Sequence, residues 1–243
     1  MATILTTFPQ IAGQEVFVTS TVQNLPLGVY AETNDGRGFR YVKAGAVDLV
    51  PGKVQQSPAE DTTNYNPSGG LAVAASAIGS TTVTLTGSLT IALNALAGGL
   101  MTVNVTPGQG QVYKILSNTA VAGAANCVIT LEDPIRVALT TSSKVNLKAN
   151  PYNGVIVTPA TMTGEVVGVA TTIIPAGSFG WIQTRGLTSC LQTGTGTAGT
   201  ALGVLQGGTI GSLAPAIAGT PIIGHCAGTV ITGEYGAVML TLS

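Results

Sequence analysis

The chain has 243 residues, enough for one or two domains, yet only 8% of them are Asp, Glu, Lys or Arg, against roughly a quarter in an ordinary soluble domain. The formal charge is −1, which argues against nucleic acid as a partner, because that demands clustered Lys and Arg. Mean hydropathy is +0.45, but Gly, Thr, Asn or Pro interrupts every apolar run well short of the ~20 residues a membrane helix needs. An outer-membrane barrel would want aromatic girdles, which an aromatic content of 5% does not supply. Few charges mean little repulsion between molecules, so much of the surface is expected to be covered by further copies of the chain or by a partner.

The opening "MATILTTFPQIAGQEVFV" has neither the basic region nor the long apolar core of a secretion signal, which points to a chain made in the cytoplasm. Residues 1–26 are nearly uncharged and hydroxyl-rich. They read as an extended arm that adds a strand to an exposed sheet edge, either of a partner protein or of a neighbouring copy, with Thr3, Ile4, Leu5 and Phe8 as its contact residues. Residues 27–63 begin with a hairpin: "NDGRG" (34–38) stands between "VYAET" and "FRYVK", and Asp-Gly tolerates the positive φ of tight turns.

"SPAEDTTNYNPSGG" (57–70) has the composition of a linker. Beyond it, residues 64–150 read as a small inserted β-domain. "GLAVAASAIG" (70–79) is the one stretch that suits a short helical turn. "TTVTLTG", "MTVNVTP", "CVITLED" and "KVNLK" alternate apolar and polar residues with period two, as half-buried antiparallel strands do. "KANPYNG" (148–154) is the return, with Asn153-Gly154 expected as a turn. Residues 151–243 form a C-terminal β-domain, and residues 27–50 are expected to pack against it. The fold class is all-β, with antiparallel barrel or sandwich units, short loops and little or no helix.

An internal repeat marks the C-terminal domain. "VVGVATTIIPAGSFGWIQTRG" (166–186) aligns without a gap on "IIGHCAGTVITGEYGAVMLTL" (222–242), each residue 56 positions after its counterpart. Gly168, Gly177 and Gly180 meet Gly224, Gly233 and Gly236. Phe179 meets Tyr235 and Trp181 meets Ala237, a large ring against a methyl, which suggests complementary packing. A weaker third echo sets "LGVY" (27–30) over "VGVA" and "FRYV" (39–42) over "FGWI". The Gly/Thr-rich stretch 192–220 should be loop with one or two short strands.

Chemical motifs are few. "GTGTAG" (194–199) matches the dinucleotide fingerprint, but no helix follows and no acidic residue stands ~20 residues on. Neighbouring carboxylates, Glu60-Asp61 and Glu132-Asp133, point to opposite faces of a strand and do not converge. Cys127, Cys190 and Cys226 are too widely spaced for a zinc site or disulfide framework and read as small buried hydrophobes. His225, the single histidine, adjoins Cys226, but successive strand residues project oppositely, so they make no dyad. In the repeat His225 takes the place of Val169, a packing or interface position. Cys226 is expected to share a face with Ile222 and Gly224, and His225 with Ile223. Arg185 and His225 are accordingly read as interface residues, and Trp181 as a core or interface residue. No catalytic, metal-binding or cofactor-binding residue is assigned.

The phrases "VYAETNDGRGFRYVKAGAVDLVPG", "AGGLMTVNVTPGQGQVYKILSN", "NPYNGVIVTPA" and "VVGVATTIIPAGSFGWIQTRG" resemble those of tailed-bacteriophage virion proteins. The paired C-terminal motif is similar to that of capsid decoration (cement) proteins. That resemblance implies a β-rich homotrimer on the outer capsid surface. Its partners there are the major capsid protein and itself, and it bridges capsomers against the pressure of packaged DNA. It implies a structural protein and no enzyme. The alternative is a tail-fibre or adhesin β-domain that binds host glycan, since those domains share the Gly/Thr-rich β texture.

Overall fold

The computed structural model describes residues 9–205 and 207–242. Eighteen strands and one three-residue 3-10 turn, Glu15–Phe17, make up their regular structure. The chain is all-β, and it divides into two compact units, Met1–Ala59 with Pro151–Ser243, and Glu60–Asn150. In chain order the first unit supplies β1 (Tyr30–Glu32), β2 (Gly38–Ala44) and β3 (Val54–Gln56). The second unit is then inserted, and the first resumes.

The inserted unit holds β4 (Leu71–Val73), β5 (Thr82–Thr86), β6 (Leu89–Ile91), β7 (Leu100–Val105), β8 (Val112–Asn118), β9 (Val121–Gly123), β10 (Cys127–Leu131) and β11 (Lys144–Lys148). Six of these close a barrel in the order β10-β5-β4-β11-β7-β8, and β6 pairs with β9 apart from it. The period-two pattern sets the inside: Val83, Leu85, Met101, Val103, Ile115, Cys127, Ile129, Val145 and Leu147 are each 2% exposed or less. The expected helical turn at 70–79 is a strand instead. Leu71 and Val73 alternate into the barrel, and Ala72 pairs with Lys144 and Thr86. Buried Asn118 ties the β6 loop to the barrel: its Oδ1 accepts from Leu96 N–H at 2.9 Å, and its Nδ2 donates to the Ala92 and Thr119 carbonyls.

The resumed first unit holds β12 (Asn153–Val157), β13 (Val166–Ala170), β14 (Phe179–Leu191), β15 (Ala201–Gly203), β16 (Ala214–Pro215), β17 (Gly224–Cys226) and β18 (Tyr235–Thr241). The "NDGRG" hairpin forms as its sequence predicts, with Thr33 N–H bonded to Arg37 O at 2.9 Å and Gly36 at φ 81°. Asn153-Gly154 is not a turn. It opens β12 as a bulge, Gly154 supplying the positive φ, and β12 runs parallel to β2. Strand β2 of the hairpin pairs with β14 and β12, both from beyond residue 150.

Following the pairings around this sheet shows two closed rings. β2-β12-β3-β13-β14 returns to β2. β14-β18-β17-β15-β16 returns to the end of β14 through the Leu213–Gln192 bridge. Strand β14 belongs to both rings. Its first half pairs with β2 and β13, and its second half with β18.

The two rings are one unit built twice. Val169 faces Gln183 and Ala170 faces Ile182. Fifty-six positions later His225 faces Met239 and Cys226 faces Val238. Leu49 and Ile174 exchange both backbone hydrogen bonds, and so do Gly196 and Val230. Gly52 N–H reaches Ala170 O at 2.8 Å and Gly199 N–H reaches Cys226 O at 2.9 Å. Gly45 N–H reaches Val155 O, and Thr193 N–H reaches Leu213 O, both at 2.7 Å. β2 therefore corresponds to the second half of β14, β3 to β15, and β12 to β16. The inserted barrel occupies the link between β3 and β12, which the second ring closes directly from β15 to β16. The repeat legible at 166–242 is the last two strands of a duplication that covers the whole ring. The third echo differs in kind. Tyr30 pairs with Arg40 two residues out of the register that the echo demands, so β1-β2 is a different hairpin.

The invariant glycines of the repeat have a steric cause. A Cβ on Gly180 would lie 2.9 Å from Ile174 Cδ1, and one on Gly236 would collide with Val230 Cγ1. Each ring is closed by that β-branched residue pressing on bare backbone. Around it lie Val42, Leu49, Val155, Ala170 and Ile182 in the first ring. Cys190, Leu202, Leu213, Cys226, Val238 and Leu240 line the second, joined by Val54 and Val169 from the outside of the first.

Gly236→Ala should therefore cost about 2 kcal/mol in urea unfolding, as overpacking does. Adding Val230→Ala should recover at least about 1 kcal/mol of the summed single costs, the coupling expected of touching residues. Strictly additive costs would mean that this contact does not close the ring.

Candidate functional site

The outer surface of the second ring is set by the parity of β14. The bend at Gly186, with φ 86°, carries the strand out of the first ring. Beyond it Thr188 and Cys190 turn inward, whereas Leu187 and Ser189 are exposed, as is Arg185 just before it. β18 follows suit, with Val238 and Leu240 buried and Tyr235, Ala237 and Thr241 exposed. Register then fixes the rows across the sheet. Leu187 faces Met239, Met239 faces His225, and His225 faces Ala201. Ser189 faces Ala237, and Arg185 faces Thr241.

This face is apolar and open. Leu187 and Tyr235 are each 52% exposed. Arg185 is the one formal charge among these positions. At the Arg185 end the face deepens into a groove of about 720 Å³ against the Asp35–Arg37 turn. There Arg37 Nε lies 2.8 Å from Asp35 Oδ2. The Thr33 hydroxyl first, then Arg37, holds the Asp35 carboxyl below the usual carboxylate range.

The interface residues read from the sequence divide. Arg185 and His225 lie on this one face, linked through Leu187 and Met239. Trp181 does not. It is 6% exposed and packs edge-on to Tyr41, ring centroids 5.2 Å apart, in a cluster with Ile11, Val16, Phe39 and Phe179. Trp181 and Ala237 are therefore not complementary partners; they occupy the same position of two rings, one covered and one bare. Thr3, Ile4, Leu5 and Phe8 lie outside the described residues. Leu187, Met239 and Tyr235 were not singled out by sequence. Tyr235 and Met239 stand in the repeat read at 222–242, whereas the signal for Leu187 is the match of "GLTSCLQ" (186–192) to "GFRYVKA" (38–44), visible only once the hydrogen bonds align the two strands.

His225 and Cys226 project to opposite sides, His225 outward and Cys226 into the core with 1% exposure. The parity breaks just before them. Ile223 is buried beside Cys226, and Ile222 is 63% exposed, the reverse of the expected faces, because β17 starts only at Gly224 and the residues before it are not extended in its register. All three cysteines are free and buried. Burial pushes the Cys190 thiol up to about 12 and raises those of Cys127 and Cys226. Among the described residues no three His, Cys, Asp or Glu side chains converge on a point that would hold a metal ion. Glu132 pairs with Lys114 at 2.7 Å on the surface, and Glu60 accepts from Asn66 Nδ2. No described helix is long and apolar enough to cross a membrane.

Comparison with models of known protein families, with curated proteins and with solved structures finds no match to this chain.

The thiols give a measurable consequence. A raised folded-state value means that the native protein holds the Cys190 proton more tightly than the unfolded chain does. Stability is then unaffected below about pH 8.5, where the thiol is protonated in both states, and falls as pH rises from there toward 12. Chemical denaturation at pH 8 and pH 10.5 should show that loss, and Cys190→Ala should reduce it. An alkylating reagent should modify none of the three thiols in native protein at pH 8 and all three in urea.

Proposed function

We propose that this chain is a structural protein of a phage virion that binds the outside of the head and stabilises it by bridging capsomers. The observation that carries the reading is the outer face of the second ring. It is an open sheet surface on which Leu187, Tyr235 and Ala237 are exposed beside Ser189, His225 and Thr241, with Arg185 as the single formal charge among these positions. Interface cores are depleted in charge in the same way. The phrase resemblance to decoration proteins supplies the identity of the partner, the major capsid protein. The means is avidity: association of several chains multiplies a contact that is weak in any one of them. In this proposal the chain also self-associates, as the homotrimer of the resemblance, and uses no cofactor or catalytic residue.

The inserted barrel supports a second role on the same particle. It has its own closed core, and in this second reading residues 60–150 contact host glycan as tail-fibre domains do. Immunogold labelling of virions with antibody to this chain separates the two readings. Label over heads, with add-back of purified protein restoring the heat resistance of stripped heads, is the expected result. Label at tail tips, with heads unaffected, would replace the head reading by the adhesin one.

A further inference from the structure

We propose that the partner seated on the outer face of the second ring brings a carboxylate to Arg185. The inference rests on the reading that this face docks on the phage head; it adds the chemistry of the surface that the face meets.

The internal duplication supplies the comparison. Gly38 corresponds to Gly186, so Arg37 corresponds to Arg185 and Asp35 to Gln183. In the first ring that arginine is matched. Arg37 Nε lies 2.8 Å from Asp35 Oδ2, and its guanidinium lies over the Phe39 ring, 5.6 Å from the centroid. The outer face beside it is covered. Phe39 and Tyr41 of β2 and Phe179 and Trp181 of β14 are 0%, 4%, 7% and 6% exposed. Ile11 and Val16 pack on these four rings, and Ser20 exchanges two backbone hydrogen bonds with Phe179.

In the second ring the face is open and the arginine is unmatched. Leu187, Ser189, Tyr235 and Ala237 stand where the first ring has Phe39, Tyr41, Phe179 and Trp181, and all four are exposed or half-exposed. Where the first ring has the Asp35 carboxylate, Gln183 has an amide. That amide is buried, and its Nε2 donates to the Arg185 and Leu187 carbonyls, each at 2.9 Å. Among the described residues no carboxylate lies within ion-pair distance of Arg185. Asp35 borders the same groove as Arg185, but the Thr33 hydroxyl and Arg37 already donate to it.

Covering this face therefore sets an electrostatic condition. A protein surface laid over Leu187 and Met239 takes the neighbouring guanidinium out of water. Arginine cannot shed its charge by giving up a proton, and a charge buried without a partner is strongly destabilising. A carboxylate on the incoming surface removes that cost, and the guanidinium fork fixes its position through two parallel hydrogen bonds. The surface that fits is an aspartate or glutamate flanked by apolar side chains: the acid against Arg185, the apolar groups against Leu187, Met239 and Tyr235. The shell protein would then do for Arg185 what Asp35 does for Arg37.

Rebinding of purified protein to stripped heads tests the pairing. Arg185→Leu should weaken rebinding about thirtyfold or more, because it leaves the carboxylate of the shell buried and unpaired. It should leave the thermal transition and the mass found by light scattering unchanged, since Arg185 is exposed in the free chain. Arg185→Lys, which keeps the charge without the fork, should fall between the two. With no carboxylate opposite, the sign reverses: Arg185→Leu sheds a desolvation cost and rebinds as tightly as the wild type or tighter, which overturns the proposal. Loss of self-association in Arg185→Leu overturns it as well, because the carboxylate then belongs to a second copy. In both cases the head reading stands. Wild-type protein that fails to rebind heads would overturn that reading and this inference together.

Discussion

Strand β14 has to belong to two closed sheets at once. Its thirteen residues end one ring and begin the next, and every other pairing in the first unit is arranged around that requirement. A strand that closed one ring and stopped would leave the other without its first member. A straight strand could not enter both, so the backbone turns at Gly186, where the positive φ that an L side chain resists is available. The alternation of side chains runs through the bend unbroken, even positions inward and odd ones outward, which is why Cys190 reaches the second core while Leu187 is left outside.

Duplication explains features that look arbitrary one at a time. Gly180 and Gly236 are both bare because Ile174 and Val230 press on them. The inserted barrel sits in the one link that the second ring makes short. The tryptophan has an alanine for its counterpart because one outer face is covered by residues 9–20 and needs large rings to fill the space, whereas the other is left open. A repeat that conserves backbone hydrogen bonds while its outer side chains diverge has kept its fold and changed its contacts.

The low charge of the chain fits this division. Two rings and a barrel give three small cores in 243 residues, with much sheet surface for the length. Surface of that kind is ordinarily dressed in Lys and Glu. Here Thr, Ser, Ala and Leu take those positions, which lowers the cost of covering them with another protein.

Much was legible beforehand. Period-two alternation identified β5, β7, β10 and β11 of the barrel and their buried side, and "NDGRG" the β1–β2 hairpin of the first unit, because local pattern decides local extension and turning. The linker and return around the insertion stood out by composition. The gap-free repeat at 166–242 located two hairpins in the correct register. The sequence alone also separated His225 from Cys226, by strand geometry. It could not show that β2 and the second half of β14 are the same strand of one ring, since "GFRYVKA" and "GLTSCLQ" share little beyond a glycine; their likeness lies in hydrogen bonds to distant partners. Nor could it tell which outer face is covered. Phe39 and Leu187 sit at like places on like strands, and burial of the first and exposure of the second depend on where residues 9–20 come to rest, which is decided by packing across the fold and by no local pattern.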